Sequence, residues 1–259
     1  MTAKTIPDVQ GRSDARHLDI HYVGIRDVRH PAGYRLPDGS LQPVTTTLEM
    51  YVDLSAERKG THMSRFMELV NERPLEVSAA GLSLLATDLA RRVDAASAWV
   101  SARFTLFLPK QAPVSLVTSL MDYQLEYRAD LRAGRTTLTR RMVVPVKTLC
   151  PCSKDISQYG AHNQRSHVTL TLPDHPAHST PDLIRLLEAE GSAELYGVLK
   201  RPDEKYVTER AYENPKFVED LVRDATLALD KRGIKPYTLE VENFESIHNH
   251  SAYARIERS

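Results

Sequence analysis

Both cysteines of the chain lie in one stretch, TLCPCSKDISQYGAHNQRSH, which spans residues 148–167. One proline separates Cys150 from Cys152, so a disulfide between them would close a very small, strained ring. The thiols could therefore be inert, or one could be a nucleophile or a metal ligand. His162 follows Cys150 by twelve residues, and a thiolate with an imidazole suits zinc or another divalent transition metal. An ordinary loop that holds a cysteine and a histidine is the alternative.

Three further polar clusters sit where predicted elements meet. The stretch ENFESIHNHSAY contains Glu242, Glu245, His248 and His250, an unusual content for a solvated hairpin loop, which favours Gly, Asn, Asp and Pro. LKRPDEKYVTERAYENP, at 199–215, mixes carboxylates with lysines and arginines, and its residues alone favour a surface loop between helices. ERKGTHMSRF, at 57–66, precedes a predicted helix. Helix N-termini near Lys and Arg bind anions such as phosphate, although a capped surface helix is the alternative. Four such clusters together favour a functional site.

Hydrophobic periodicity predicts the elements that must position these clusters. Alternating patterns predict strands over 17–28, 44–54, 98–109, 112–132, 136–149, 166–173, 237–246 and 251–257. Helical spacing predicts helices over 64–73, 83–96, 180–199 and 214–233, and turn residues are frequent over 31–43. The order strand, strand, helix, helix, strand, strand occurs twice. It predicts an α+β protein with two ββααββ units.

The units are predicted at residues 17–132 and 133–259, after a flexible tail at 1–16, with most site residues in the second unit. The AGR stretch at 133–135 could equally be a hairpin turn inside one continuous antiparallel sheet. The formal net charge is zero, which argues against bulk binding to nucleic acid or an anionic membrane. No apolar run approaches the length of a membrane span, and the polar start does not resemble a secretory signal, so a cytoplasmic location is expected.

Three of the polar stretches together resemble one family. ERKGTHMSRF, CPCSKDISQYGAHNQRSH and ENFESIHNHSAYA are similar to the type IB GTP cyclohydrolase I family, the bacterial, metal-flexible alternative to the zinc-dependent enzyme. The resemblance covers the chain from about residue 17 to the end. It implies a tunnelling fold, in which each unit has an antiparallel sheet with helices packed on one face. It also implies a homotetramer with active sites near subunit interfaces.

The implied reaction converts GTP and water to 7,8-dihydroneopterin triphosphate and formate, the first step of tetrahydrofolate and pterin biosynthesis. Metal-activated water attacks C8 of the guanine ring. The resemblance assigns Cys150, His162 and Glu204 to a divalent metal, Mn²⁺ or Zn²⁺ with Fe²⁺ as a further candidate, and Cys150 also to catalysis. It assigns Glu219 to the 2-amino and ring N–H edge of the base, since a carboxylate accepts two parallel donors.

The remaining candidates follow from side-chain chemistry within that resemblance. His248 and His250 are candidate proton shuttles, because histidine titrates near neutral pH, and Glu245 could orient one of them. Lys59, Arg65, Lys154 and Arg165 are candidates for holding the triphosphate. Cys152 has no single expected role. It could lie near the metal, respond to oxidation, or only pack.

Two other functions compete with this interpretation. Related tunnelling-fold enzymes reduce a nitrile on a deazapurine with NADPH, using a cysteine nucleophile and a glutamate that holds the base. The abundance of histidines argues against that oxidoreductase, because formation of a thioimide needs no metal. A non-enzymatic metal-binding protein would bind metal but would not turn over GTP.

Overall fold

The computed structural model describes residues 8–259, so residues 1–7 of the predicted tail lie outside the described part of the chain. This part contains nine strands and six helices. In chain order they are β1 (Ile20–Arg35), β2 (Leu41–Leu54), α1 (Ser64–Asn71), β3 (Leu75–Val77), α2 (Ala79–Val93), β4 (Ala98–Gln111), β5 (Thr118–Arg132), β6 (Arg135–Leu149), α3 (Pro151–Ile156), β7 (Asn163–Pro173), α4 (Thr180–Ala189), α5 (Arg201–Glu213), α6 (Val218–Lys231), β8 (Tyr237–Asn243) and β9 (Ala252–Arg258).

The described strands form one sheet in the order β3-β1-β2-β4-β5-β6-β7-β8-β9. The pairs β1–β2, β2–β4, β7–β8 and β8–β9 are antiparallel, and the short β3 runs parallel to β1. The predicted α+β class with a large antiparallel sheet is confirmed. Between β5 and β6 the chain turns at Ala133 and Gly134, both with positive φ, as a two-residue hairpin turn requires. This is the hairpin that the AGR stretch left open.

The chain divides into two compact units. The first comprises the described residues up to Phe104 together with Glu126–Thr139. Its core forms because every second residue of β2 faces inward, where Leu48 and Met50 are fully buried. Helix α2 contributes Leu82 and Leu89 to the same core, and the side chain of Ser78 caps its N-terminus by accepting from the N–H of Gly81.

The second unit comprises Thr105–Leu125 and Arg140–Ser259, and it contains most of the predicted site residues. Alternate residues of β8 are buried, as expected for a strand with one covered face. Helix α6 packs against β8 and β9 through Leu221, Ala225 and Leu229, which follow helical spacing. The helix ends before Gly233, whose φ of 67° is the left-handed conformation that terminates many helices. No helix within residues 8–259 is both long and apolar enough to cross a membrane.

The prediction of a surface loop at 199–215 is wrong, because most of this stretch is helix α5. Few apolar residues mark its buried face, where Val207 and Ala211 lie near an inward-facing carboxylate, Asp203. Asp203 is fully buried and accepts from the N–H of Lys200, which starts the helix. The predicted helix at 180–199 is correspondingly too long, since α4 ends at Ala189.

Two strand predictions also need correction, and the short elements α3 and β3 were not predicted. The turn-rich stretch at 31–43 largely continues β1 and starts β2, with only residues 36–40 as the connection. Residues 112–117 precede β5 rather than belonging to it, and the N–H groups of Val114 and Ser115 donate to Asp203. The short α3 follows β6 directly, because Pro151 occupies a first-turn position where its missing N–H costs nothing.

Candidate active site

Cys150 lies where β6 ends and α3 begins. Its backbone N–H donates to the carbonyl of His162 at 3.1 Å, so the thiol and the imidazole come from adjacent strand ends. Its Sγ caps α3 by accepting from the N–H of Ser153 at 3.5 Å. The hydroxyl of Ser153 in turn accepts from the N–H of His162 at 3.2 Å. One helical turn therefore fixes the backbone of both predicted metal-site residues.

A chain of buried side chains orients the His162 ring. Gln164 donates from Nε2 to the hydroxyl of Thr148 at 2.8 Å, and its Oε1 lies 3.1 Å from Nδ1 of His162. Because that oxygen can only accept, it favours the tautomer with hydrogen on Nδ1, which leaves the lone pair on Nε2. From Thr148 the chain continues through Ser166 to the amide oxygen of Asn243, at 2.8 and 2.7 Å. Metal-binding histidines usually have this kind of supporting partner.

A cavity of about 300 Å³ brings most of the predicted residues together. It is lined by Cys150, His162, Glu219, Glu245, His248 and His250, and by Gln164, Lys216, Phe217, Val218, Asn243 and Ala252. Glu245 Oε2 is 3.9 Å from Nδ1 of His162, and both side chains are mostly buried. The rings of His248 and His250 stack at 5.0 Å and are exposed to solvent.

Glu219 lies in the first turn of α6 and is exposed towards the cavity it lines. Its neighbour Asp220 caps the helix by accepting from the N–H of Phe217 at 2.9 Å, which leaves the Glu219 carboxylate free for other contacts. The N–H of Lys216 donates to the carbonyl of Leu149 at 3.0 Å, so the start of α6 is tied to the end of β6. This bond places Glu219 on the same cavity as Cys150.

Five predicted residues do not line this cavity. Glu204 lies on the exposed side of α5, and Arg165 is exposed on β7. The ammonium of Lys154 donates to the carbonyl of Tyr212 at 2.6 Å and lies over the Tyr212 ring. Lys59 and Arg65 belong to the first unit, where both are exposed.

Burial lowers the pKa of two basic groups on the strands that carry the site. Burial lowers the pKa of Lys147, three residues before Cys150 on β6. Burial also lowers the pKa of His167 on β7, against the opposing effect of the Glu242 carboxylate. Desolvation disfavours the charged form of each base.

The donor types of the cavity suit a divalent metal. A thiolate and an imidazole nitrogen with a free lone pair are preferred by zinc, and a carboxylate broadens the choice to harder ions such as manganese. Within residues 8–259, however, no three His, Cys, Asp or Glu side chains are arranged to hold a metal ion. The structure thus brings two of the three predicted ligands, Cys150 and His162, to one cavity.

Several lining residues were not predicted from the sequence. Gln164 and Asn243 are polar side chains at buried strand positions. The ammonium of Lys216 lies 2.8 Å from the Asp224 carboxylate and donates to the carbonyl of Glu190 at 2.7 Å. A polar residue in the inward phase of an alternating strand is the signal that could have identified Gln164 and Asn243.

Comparison with known proteins gives consistent matches along nearly the whole chain. A family model described as "Type I GTP cyclohydrolase folE2" matches residues 6–254. The protein named GTP cyclohydrolase FolE2 from Paraburkholderia phymatum is 53% identical over 259 residues, covering 98% of this chain and 96% of the relative. A protein of the same name from Nitrosococcus oceani is 49% identical, with the same two coverages.

Among solved structures, uricase from Arthrobacter globiformis is similar in fold. Its TM-score is 0.52 at 9% identity, over 92% of this chain and 94% of the uricase chain. At that identity the likeness concerns the fold alone, and it confirms the predicted tunnelling fold.

Proposed function

The chain belongs to the type I GTP cyclohydrolase FolE2 family, and from this membership we propose the reaction of its active site. In this proposed reaction, the enzyme converts GTP and water to 7,8-dihydroneopterin triphosphate and formate. This is the first step of tetrahydrofolate biosynthesis. The observation that carries this proposal is the identity of about half of all residues with GTP cyclohydrolases FolE2 over nearly the full length of both chains. The cavity that contains Cys150, His162 and Glu219 is the proposed place of reaction.

We propose Cys150 and His162 as ligands of a divalent metal. Gln164 supports this role, because its Oε1 holds Nδ1 of His162 and leaves Nε2 for the ion, while Thr148 holds the Gln164 amide in place. Glu204 remains the proposed third ligand from the family resemblance, although it lies outside the cavity. The bound metal would supply a Lewis acid for water at neutral pH. The identity of the metal, Mn²⁺, Zn²⁺ or Fe²⁺, is part of this proposal. The assignment of the chain to type IB is part of it too.

The carboxylate of Glu219 is proposed to hold the guanine base. It forms no ion pair with another described side chain, and it lies in the first turn of α6, at the positive end of the helix dipole. Two N–H groups of guanine can donate to its two oxygens, whereas the corresponding edge of adenine offers no such pair. Guanine is thereby selected over adenine.

His248 and His250 are proposed to move protons during ring opening and closure, and Glu245 to orient the imidazoles. Both rings are exposed at the cavity, and the Glu245 carboxylate is mostly buried beside His162. General acid and base groups contribute typically about 10² to 10⁴ in rate. Lys59, Arg65, Lys154 and Arg165 stay proposals for the triphosphate. A homotetramer with interfacial sites and a cytoplasmic location, where GTP is available, complete the proposal.

The test is a turnover assay with metal-stripped protein. GTP is added with Mn²⁺ or Zn²⁺ in separate reactions, and dihydroneopterin triphosphate is followed by the fluorescence of its oxidised form, with formate measured alongside. Product that depends on metal is the expected result, and the two reactions rank the metals. Absence of product with every metal, together with NADPH oxidation in the presence of a deazapurine nitrile, would overturn the proposal in favour of the reductase.

A further inference from the structure

A second, larger cavity of about 540 Å³ lies in the second unit, and none of the predicted site residues lines it. It is formed by the end of β4, the start of β5 and one face of α4 with the segment that follows it. Its walls are largely apolar and include Leu108, Pro109, Pro181, Ile184 and the ring of Tyr196. Cavities with apolar walls and a few convergent polar groups are the usual form of small-molecule sites.

Buried charges form the polar part of this cavity. The ammonium of Lys110 is 2.7 Å from Glu188 Oε1 and 2.8 Å from Glu194 Oε2. The Glu188 and Lys110 side chains are only 4% and 11% exposed. The Tyr123 hydroxyl also donates to Glu188 Oε1, at 2.8 Å. Burial raises the pKa of Glu188, while the nearby Lys110 lowers it. Two carboxylates thus face one ammonium.

One carboxylate oxygen of Glu188 accepts no hydrogen bond from the described residues. Its Oε1 takes the bonds from Lys110 and Tyr123, and no donor within residues 8–259 reaches its Oε2. Glu194 likewise uses only Oε2 towards Lys110. Among the described residues, Glu188 Oε2 is not one of the buried polar atoms that lack a partner, so it is open to the cavity and can accept from a ligand. The free oxygens call for N–H donors, and the ammonium between them can donate to a carbonyl.

We propose that this cavity binds a planar nitrogen heterocycle whose edge carries N–H donors beside a carbonyl oxygen. The N–H groups donate to the free oxygens of Glu188 and Glu194, and the carbonyl accepts from Lys110. The ring packs on Ile184 and beside Tyr196, one face of which is covered by the Lys110 ammonium at 4.7 Å. Guanine and pterin rings share this edge, whereas adenine lacks both the carbonyl and the adjacent ring N–H.

Binding is measured directly, by equilibrium dialysis of the full-length protein with guanosine, neopterin or adenosine. Glu219→Ala serves as the background, because Glu219 is proposed to hold the same edge at the first cavity. In this background guanosine, neopterin or both should bind once per chain, and adenosine should not bind. Whichever of the two binds identifies the source of the edge as the purine or the pterin. Binding of neither, or equal binding of adenosine, would overturn the proposal.

Two variants in the same background locate the ligand. Glu188→Gln replaces one of the two acceptor oxygens by an NH2 donor and removes the charge, so it should weaken binding at least tenfold. The exposed Thr118→Trp should do so by filling the cavity mouth. Tyr123→Phe is the matched control, since it removes the bond to Oε1 and leaves Oε2 in place. If Glu188→Gln does not fold, Thr118→Trp decides alone. Unchanged affinity in Thr118→Trp contradicts the proposal, and GTP turnover by the wild-type protein tests the proposed function separately.

Discussion

The two cavities of the second unit differ in the burial and pairing of their charged groups. Around Cys150, the side chains of His248, His250 and Glu219 are exposed, while neutral polar side chains behind the mostly buried His162 fix the position of its ring. Around Glu188, the charges are buried and paired with each other. Groups left unpaired at a surface are available to a substrate, whereas paired, buried groups mainly determine stability and selectivity.

One segment connects the two cavities. Glu188, Glu194 and Tyr196 line the second cavity. Between them, the carbonyl of Glu190 accepts from Lys216, which lines the Cys150 cavity, and the hydroxyl of Ser192 accepts from the N–H of Leu149 at 3.1 Å. Substitutions in the ion cluster of Lys110, Glu188 and Glu194 are therefore expected to affect the Cys150 cavity mainly by lowering the stability of the protein. Substitutions in the Cys150 cavity should leave that ion cluster intact.

The largest expected effect is on turnover, from Cys150→Ala. Removing the thiol removes a proposed metal ligand, and a Lewis acid lowers the activation barrier by several kcal/mol. Turnover of GTP should fall at least about a thousandfold, since each tenfold corresponds to about 1.4 kcal/mol. The urea midpoint should change little, because Cys150 is only partly buried.

Cys152→Ala is the matched control for that prediction. Cys152 is exposed on the same helical turn and does not line the cavity. It should keep turnover within a few-fold of the wild type. Equal losses in the two variants would mean that both thiols act in the site, and near-normal turnover of Cys150→Ala would refute its assigned role.

Lys110→Met should give the largest loss of stability. It leaves the Glu188 carboxylate buried without its cation, and breaking a buried ion pair in this way costs about 3 to 5 kcal/mol. The free energy of unfolding, from urea titration, measures the effect. Arg185→Met is the control on the rim of the same cavity. Its side chain is exposed, so its loss should be within about 1 kcal/mol. A loss for Lys110→Met as small as this would show that the buried cluster contributes no net stability.

Glu219→Gln tests selectivity at the open cavity. Hydrogen bonds to a charged group contribute about 1.5 to 3 kcal/mol, so kcat/KM for GTP should fall roughly tenfold to a hundredfold. Inosine triphosphate lacks the 2-amino group, and the preference for GTP over it should shrink in the variant. Glu209→Gln, on the exposed face of α5, is the control and should change neither value. An unchanged GTP preference would remove Glu219 from base recognition.

Much of the fold could be predicted because local patterns determine it. The strand predicted over 136–149 is nearly identical to β6, since its apolar residues alternate. Helix α5 was missed because its buried face includes a carboxylate, Asp203, which hydrophobic periodicity counts as exposed. Asn214, which looked like the start of the next helix, instead ends α5.

The candidate site was only partly accessible from the sequence, for a different reason. The cysteine and histidine types, with the resemblance, were enough to nominate Cys150 and His162. The bonds that orient His162 run through Gln164, Thr148 and Ser166 to Asn243, and they depend on the register of three strands. The sequence contains no local signal for that register. The same limit applies to Lys110 and Glu188, which are 78 residues apart.

The smallest expected effect is a change in how stability depends on pH, from His167→Gln. Burial lowers the pKa of His167 in the folded protein, with Glu242 opposing and Arg165 assisting, and Phe244 packs edge-on at 4.7 Å. The unfolded chain therefore binds the proton at a higher pH than the folded chain does, and this contribution to stability is lost as pH falls through about 6.5. Glutamine cannot take up the proton.

The free energy of unfolding of His167→Gln should accordingly fall less than that of the wild type between about pH 7.5 and pH 5. Urea titrations at several pH values measure the difference, and the exposed His21→Gln should follow the wild-type curve. A steeper fall in His167→Gln would mean that Glu242 dominates and that the imidazolium is stabilised. The sheet behind the open cavity would then resemble the ion-paired second cavity, and the contrast between the two regions would be confined to the residues that line them.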